Sequence, residues 1–101
     1  MKITLQPNEI NDVSALALVA GLDLTDLDMT IEYLSGGTKG QKIFLANTSV
    51  VPTLLSSENG QGILVCDDSA KSVRSTLAVA GNSIYAWFKS TNVEPITVLV
   101  G

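Results

Sequence analysis

The stretch that decides the fold is SIYAWF at residues 83–88, which directly follows the pair Gly81-Asn82. In an extended strand, successive side chains point to opposite faces. One face would carry Ile84, Ala86 and Phe88, and the other Tyr85 and Trp87. A Gly-Asn pair beside a strand is typical of a two-residue hairpin turn, so residues 77–80 (LAVA) are expected to form the partner strand.

Residues 3–5, 29–33 and 96–100 show the same period of two. Short turns separate these segments from further expected strands at residues 42–46, 50–55 and 63–66. Within residues 96–100, Ile96, Val98 and Val100 would share one face. Pro52 has no backbone N–H and makes residues 50–55 an edge strand or a bulged one. The glycine-rich residues 35–40 are expected to form a flexible hairpin loop joining residues 29–33 to residues 42–46.

One segment departs from the β pattern. Between Val13 and Ala20, apolar residues recur at spacings of three and four. Asn11 or Asp12 could cap the start of a helix, and Gly21 could end it. This predicts a short helix near residues 12–20, although a buried strand also fits a run that is apolar nearly all round. Residues 1–101 are therefore expected to form one mainly β domain, an antiparallel β-sandwich or small barrel of seven to eight short strands.

The composition argues against several classes of function. Six basic and ten acidic residues give a net charge of −4, which is unfavourable for binding a nucleic-acid backbone. There is no histidine, and Cys66 is the only cysteine, so the usual Ser-His and Cys-His nucleophiles cannot form. No apolar run is long enough for a membrane span. We expect no catalytic residue, no cofactor, no nucleic-acid partner and no membrane partner.

The densest group of carboxylates is Asp23, Asp26 and Asp28, with Glu32 nearby. Oxygen-rich loops bind calcium, but leucines interrupt this group and its spacing is not that of a calcium loop. We expect a solvated turn and no metal site. A small enzyme would need carboxylates brought together from distant strands, for instance Glu32 and Asp67.

Aromatic side chains offer another kind of site. Tyr85 and Trp87 share a strand face, and aromatic residues are enriched at protein interfaces. We expect an interface that uses Tyr85 and Trp87 with Tyr33, and the apolar Ile96 and Val98 of the last strand. The same three aromatic rings could instead stack on a sugar, as in a carbohydrate-binding module.

The order of elements over residues 42–101 carries a resemblance. IFLANTS at residues 43–49 precedes VPTLL at residues 51–55, a glycine-centred hairpin leads into the aromatic strand, and ITVLVG closes at residues 96–101. This order resembles the small β-sandwich virion proteins of tailed bacteriophages, which include head-decoration, cement and fibre-base proteins.

The resemblance implies a non-enzymatic structural component of a phage virion, assembled in the host cytoplasm. Such a protein would form a homo-oligomer, a trimer or a dimer, and would bind capsid or tail proteins. It would carry no catalytic residues. The alternative function is a carbohydrate-binding β-sandwich module.

Overall fold

The computed structural model describes residues 1–24, 29–38, 40–52, 62–65, 72–75, 82–91 and 93–101. The described residues form one helix and eight strands. In chain order they are β1 (Lys2–Leu5), β2 (Asn11–Asp12), α1 (Val13–Val19), β3 (Met29–Gly36), β4 (Lys42–Thr48), β5 (Gly62–Val65), β6 (Ser72–Ser75), β7 (Ser83–Trp87) and β8 (Ile96–Val100).

The strands form two antiparallel four-stranded sheets, in the orders β1-β8-β3-β6 and β2-β7-β4-β5. One apolar cluster draws buried side chains from both sheets and from α1. The described strands do not close either sheet into a barrel. The predicted mainly β fold is confirmed, and the arrangement is that of a small β-sandwich.

The last strand shows the predicted alternation. Ile96, Val98 and Val100 are buried in the main core, whereas Thr97 is half-buried and Leu99 is exposed. β8 pairs with β1 and β3 along its two edges, and the main core covers its inward face. The sequence therefore predicted correctly which side chains of this strand face the core.

The predicted helix is also present, and its caps follow local chemistry. The Asp12 carboxylate accepts a hydrogen bond from the backbone N–H of Ala15 at 3.0 Å. At the other end, Gly21 has a φ of +101°, a conformation that glycine adopts readily and that ends many helices. The strand alternative for residues 13–20 is wrong. No helix in the described parts of the chain is long and apolar enough to cross a membrane.

The connection from β3 to β4 differs from the predicted hairpin. β3 and β4 belong to different sheets, so the glycine-rich residues carry the chain from one sheet to the other. A β-bulge between Tyr33 and Ser35 bends the end of β3, and the next two glycines have positive φ values. Bulges and positive-φ glycines redirect a strand, which explains the crossing.

Two other predicted strands have different outcomes. Residues 50–52 are not in a strand: the Thr48 hydroxyl accepts a hydrogen bond from the Val50 N–H at 3.2 Å, which turns the chain after β4. The remainder of the predicted strand, residues 53–55, lies outside the described residues, as do residues 77–80 and Gly81. The sequence did not predict β2 or β6.

One residue in the connection before β8 is strained. Val93 has a φ of +52° and is 66% exposed. A β-branched side chain is rare in this conformation, whereas asparagine adopts it more readily. We expect Val93→Asn to raise the free energy of unfolding by about 1 kcal/mol, measured by urea denaturation. Val51→Asn, at an exposed valine without positive φ, should leave stability unchanged. Equal effects of the two substitutions would contradict this explanation.

Candidate functional site

The structure buries the aromatic face that was predicted to be an interface. Trp87 is 0% exposed and Tyr85 is 7% exposed. With Ala46 they form a second apolar cluster, separate from the main core, and Ile10 and Phe44 pack against it. The Phe44 and Trp87 ring centroids lie 6.3 Å apart. Both faces of β7 are therefore covered.

The other three predicted interface residues are also enclosed to different degrees. Ile96 and Val98 are fully buried in the main core. Tyr33 is half-buried against the same core, and its hydroxyl donates a hydrogen bond to the Gly36 carbonyl at 2.7 Å. Tyr33 lies in one sheet, and Tyr85 and Trp87 lie in the other. The structure does not bring the three aromatic rings onto one exposed face, so this part of the interface prediction is corrected.

The exposed apolar residues of α1 form a more accessible surface. Leu16 is 38% exposed, Leu18 is 61% exposed and Val19 is 90% exposed. We call these three residues the α1 surface. The helix has only two turns and buries only Val13 and Ala17. Because α1 contains no charged residue, its solvent-facing side remains apolar.

Specific contacts fix α1 along one side of the sandwich. β2 pairs with Tyr85 and Ala86, and the Ser14 hydroxyl accepts a hydrogen bond from the Ile84 N–H at 2.9 Å. The helix therefore runs from the middle of β7 toward its start. It also contacts β1. The helix is therefore held beside both β7 and β1.

The sequence did contain a signal for this surface. A helix that is apolar nearly all round is either fully buried or exposes apolar side chains to a partner. The near all-round apolar character of residues 13–20 is therefore a signal for an interface on this helix. The aromatic residues are a weaker signal, because they are enriched at interfaces but also pack well in a core.

A cavity of about 280 Å³ lies beside α1. Asp12, Leu18, Asp23 and Asn82 contribute to its lining. The Asp12 carboxylate already caps the helix. Within the described ranges, histidine, cysteine, aspartate and glutamate do not form a group of three that could hold a metal ion. Of the predicted acidic group, Asp26 and Asp28 lie outside these ranges, as do Cys66 and Asp67.

At the opposite end of β7, side-chain amides hold the connection to β8. Asn8 and Ser90 exchange two hydrogen bonds, both 3.0 Å long, between the Asn8 side chain and the Ser90 backbone. The Gln41 side chain donates to the Lys89 carbonyl at 2.6 Å. An open depression of about 400 Å³ lies here between Gln41 and Thr91. The Asn8 and Gln41 side-chain amides hold the connection between β7 and β8 in place.

No family model, curated protein or solved structure matches the chain.

Proposed function

We propose that this protein is a non-enzymatic structural component of a bacteriophage virion, a capsid-decoration, cement or tail-associated protein. It acts by self-assembly, as a dimer or trimer, and by binding to a capsid or tail lattice. The observation that carries the proposal is the α1 surface, an exposed apolar helix face that belongs to neither buried apolar cluster. The order of elements over residues 42–101 is the reason for placing this assembly in a virion.

The energetics favour a covered α1 surface. Burying one leucine or valine side chain contributes about 1.5–3 kcal/mol relative to leaving it in water. Leu18 and Val19 are mostly exposed in the single chain, so a partner that covers them would recover part of this free energy. Contiguous exposed apolar patches commonly mark protein interaction sites. A lattice protein uses this kind of contact repeatedly.

A carbohydrate-binding module is the second candidate, and the geometry favours it less. Sugar binding by stacking needs at least one exposed aromatic ring face. Tyr85 and Trp87 are buried, and the Tyr33 hydroxyl is already bonded within the chain. This candidate would also leave the exposed α1 surface without a role.

Self-assembly can be tested by light scattering across a concentration series. We expect the mass of a dimer or trimer at high micromolar concentration, also in 1 M salt, because the α1 surface carries no charge to screen. Val19→Asp should weaken association at least about tenfold, because a carboxylate would lose its water in the contact. Val93→Asp adds the same charge to an exposed valine beyond the other end of β7 and should leave association unchanged.

Lattice binding needs a separate measurement. The protein is expected to co-sediment with particles of the phage that encodes it, and Val19→Asp should reduce the bound fraction. A monomer at high micromolar concentration that also fails to co-sediment would overturn the proposed function. A change of tryptophan fluorescence on titration with sugars would then support the carbohydrate-binding alternative.

A further inference from the structure

Among the described strands, only β8 pairs with β1, so one edge of β1 is left without a partner. Met1 and Val100 exchange reciprocal backbone hydrogen bonds of 2.9 and 2.8 Å, which makes them a hydrogen-bonded pair. In an antiparallel pair these bonds alternate, so Ile3 also bonds to β8. The N–H and C=O groups of Lys2 and Thr4 then point away from β8, toward the open edge.

Gln6, the next residue after Lys2 and Thr4 in this alternation, supports the conclusion that these backbone groups point away from β8. Gln6 also turns its backbone groups toward the open side, and there the Asn11 side chain pairs with both of them. The Gln6 N–H donates to Asn11 Oδ1 at 2.8 Å, and Asn11 Nδ2 donates to the Gln6 carbonyl at 3.0 Å. In the described part of the chain, no strand other than β8 pairs with Lys2 and Thr4, and both are exposed. The edge is therefore closed at Gln6 and open over the preceding residues.

We infer that a second copy of this chain pairs with this edge, β1 against β1, antiparallel about a two-fold axis at Ile3. Lys2 of one copy then lies opposite Thr4 of the other, and each such pair exchanges two backbone hydrogen bonds. This register uses both open residues and stops where Asn11 closes the edge. The inference rests on the self-assembly in the proposed function and specifies its contact.

Charge and position identify a second copy as the occupant. The chain has a net charge of −4, so two copies repel each other unless they meet where carboxylates are absent. β1 and α1 together contain one charged residue, Lys2, and it faces a threonine in this register. α1 contacts β1, so a copy that pairs with β1 lies near this uncharged helix. An isologous contact of this kind closes as a dimer.

Cysteine cross-linking tests the register directly. Opposite Cβ atoms in an antiparallel pair lie about 4.5–5.5 Å apart, whereas diagonal ones lie about 7–8 Å apart. In a Cys66→Ser background, Lys2→Cys and Thr4→Cys proteins are mixed and oxidised. The mixture is expected to form a disulfide-linked dimer at several times the yield of either protein alone. Leu99→Cys mixed with Lys2→Cys is the control, since Leu99 is exposed on β8 and not at the edge. Equal yields in all mixtures would overturn the register.

A backbone substitution tests the hydrogen bonds without disturbing the sandwich. Thr4→Pro removes an N–H that points away from β8, so the pairing within the chain is kept. We expect it to weaken dimerisation at least tenfold in light scattering, while Thr4→Val, which keeps the N–H, dimerises as the parent does. A parent that oligomerises with both variants unaffected would overturn the β1 contact and leave the proposed function standing. A parent that is monomeric and does not bind particles would overturn both.

Discussion

Replacing Asn11 with leucine is expected to lower the free energy of unfolding by about 3 kcal/mol, because a buried polar group left without its partner costs about 1–3 kcal/mol. Asn11 is 5% exposed. Its amide joins the end of β1 to β7, with Nδ2 donating to the Ala86 carbonyl at 3.1 Å as well as bonding Gln6. Leucine has a similar size but satisfies none of these backbone groups. For a chain of this length, the melting temperature should fall by roughly 12–24 °C.

The control for this substitution is Asn8→Gly. Asn8 also uses its amide to bond a backbone, that of Ser90, but it is exposed, so water can replace the lost bonds. Its φ of +60° suits glycine, so no strain is added. We expect a loss of about 1 kcal/mol or less, which is typical of a solvent-accessible hydrogen bond. If Asn8→Gly proved as costly as Asn11→Leu in thermal denaturation, burial would not be the cause.

Features set by neighbouring residues in the sequence were predictable. The helix follows from a cap at Asp12 and a stop at Gly21, both within a few residues of the apolar run. The alternation of β8 follows from period two alone. Such elements need no knowledge of the remainder of the chain, because the groups that stabilise them are close in sequence.

Exposure of the aromatic strand was not predictable in this way. Alternation assigned Tyr85 and Trp87 to one face of β7 correctly, since they form a cluster apart from the main core. It could not say whether that face meets solvent. That face is covered by Ile10, which precedes β2, and by Phe44 of β4, and no local pattern indicates β2. The position of a strand within a sheet depends on long-range pairing, which single-sequence periodicity does not contain.

The placement of β3 and β4 in different sheets was not predictable for the same reason. A glycine-rich loop between two alternating strands is typical of a hairpin, and the same loop can carry the chain to a second sheet. The difference lies in the bulge after Tyr33 and in the close approach of Gly36 to the chain before β8. Both involve residues about 60 positions apart in the sequence. The α1 surface, by contrast, was implicit in the sequence as an all-apolar helix.

Because Gly36 lies so close to the chain before β8, we expect Gly36→Ala to cause a large loss of stability. Gly36 has a φ of +90° and pairs with Ile96. A Cβ atom there would overlap the Pro95 carbonyl oxygen and lie 3.2 Å from Ile96 Cα. Both are backbone atoms and cannot rotate aside as a side chain does. We expect a loss of about 3 kcal/mol or more, because positive φ alone costs an alanine about 1–2 kcal/mol and the chain before β8 must also move.

Gly21→Ala separates the cost of positive φ from the cost of the contact with the Pro95 backbone. Gly21 has a φ of +101°, close to that of Gly36, but a Cβ atom there would meet nothing within 4 Å. Its substitution should therefore cost only the conformational part, about 1–2 kcal/mol. Urea denaturation of both variants gives the difference as the cost of the contact with the Pro95 backbone. Equal losses would mean that the chain before β8 yields freely, and that the crossing from β3 to β4 does not depend on this packing.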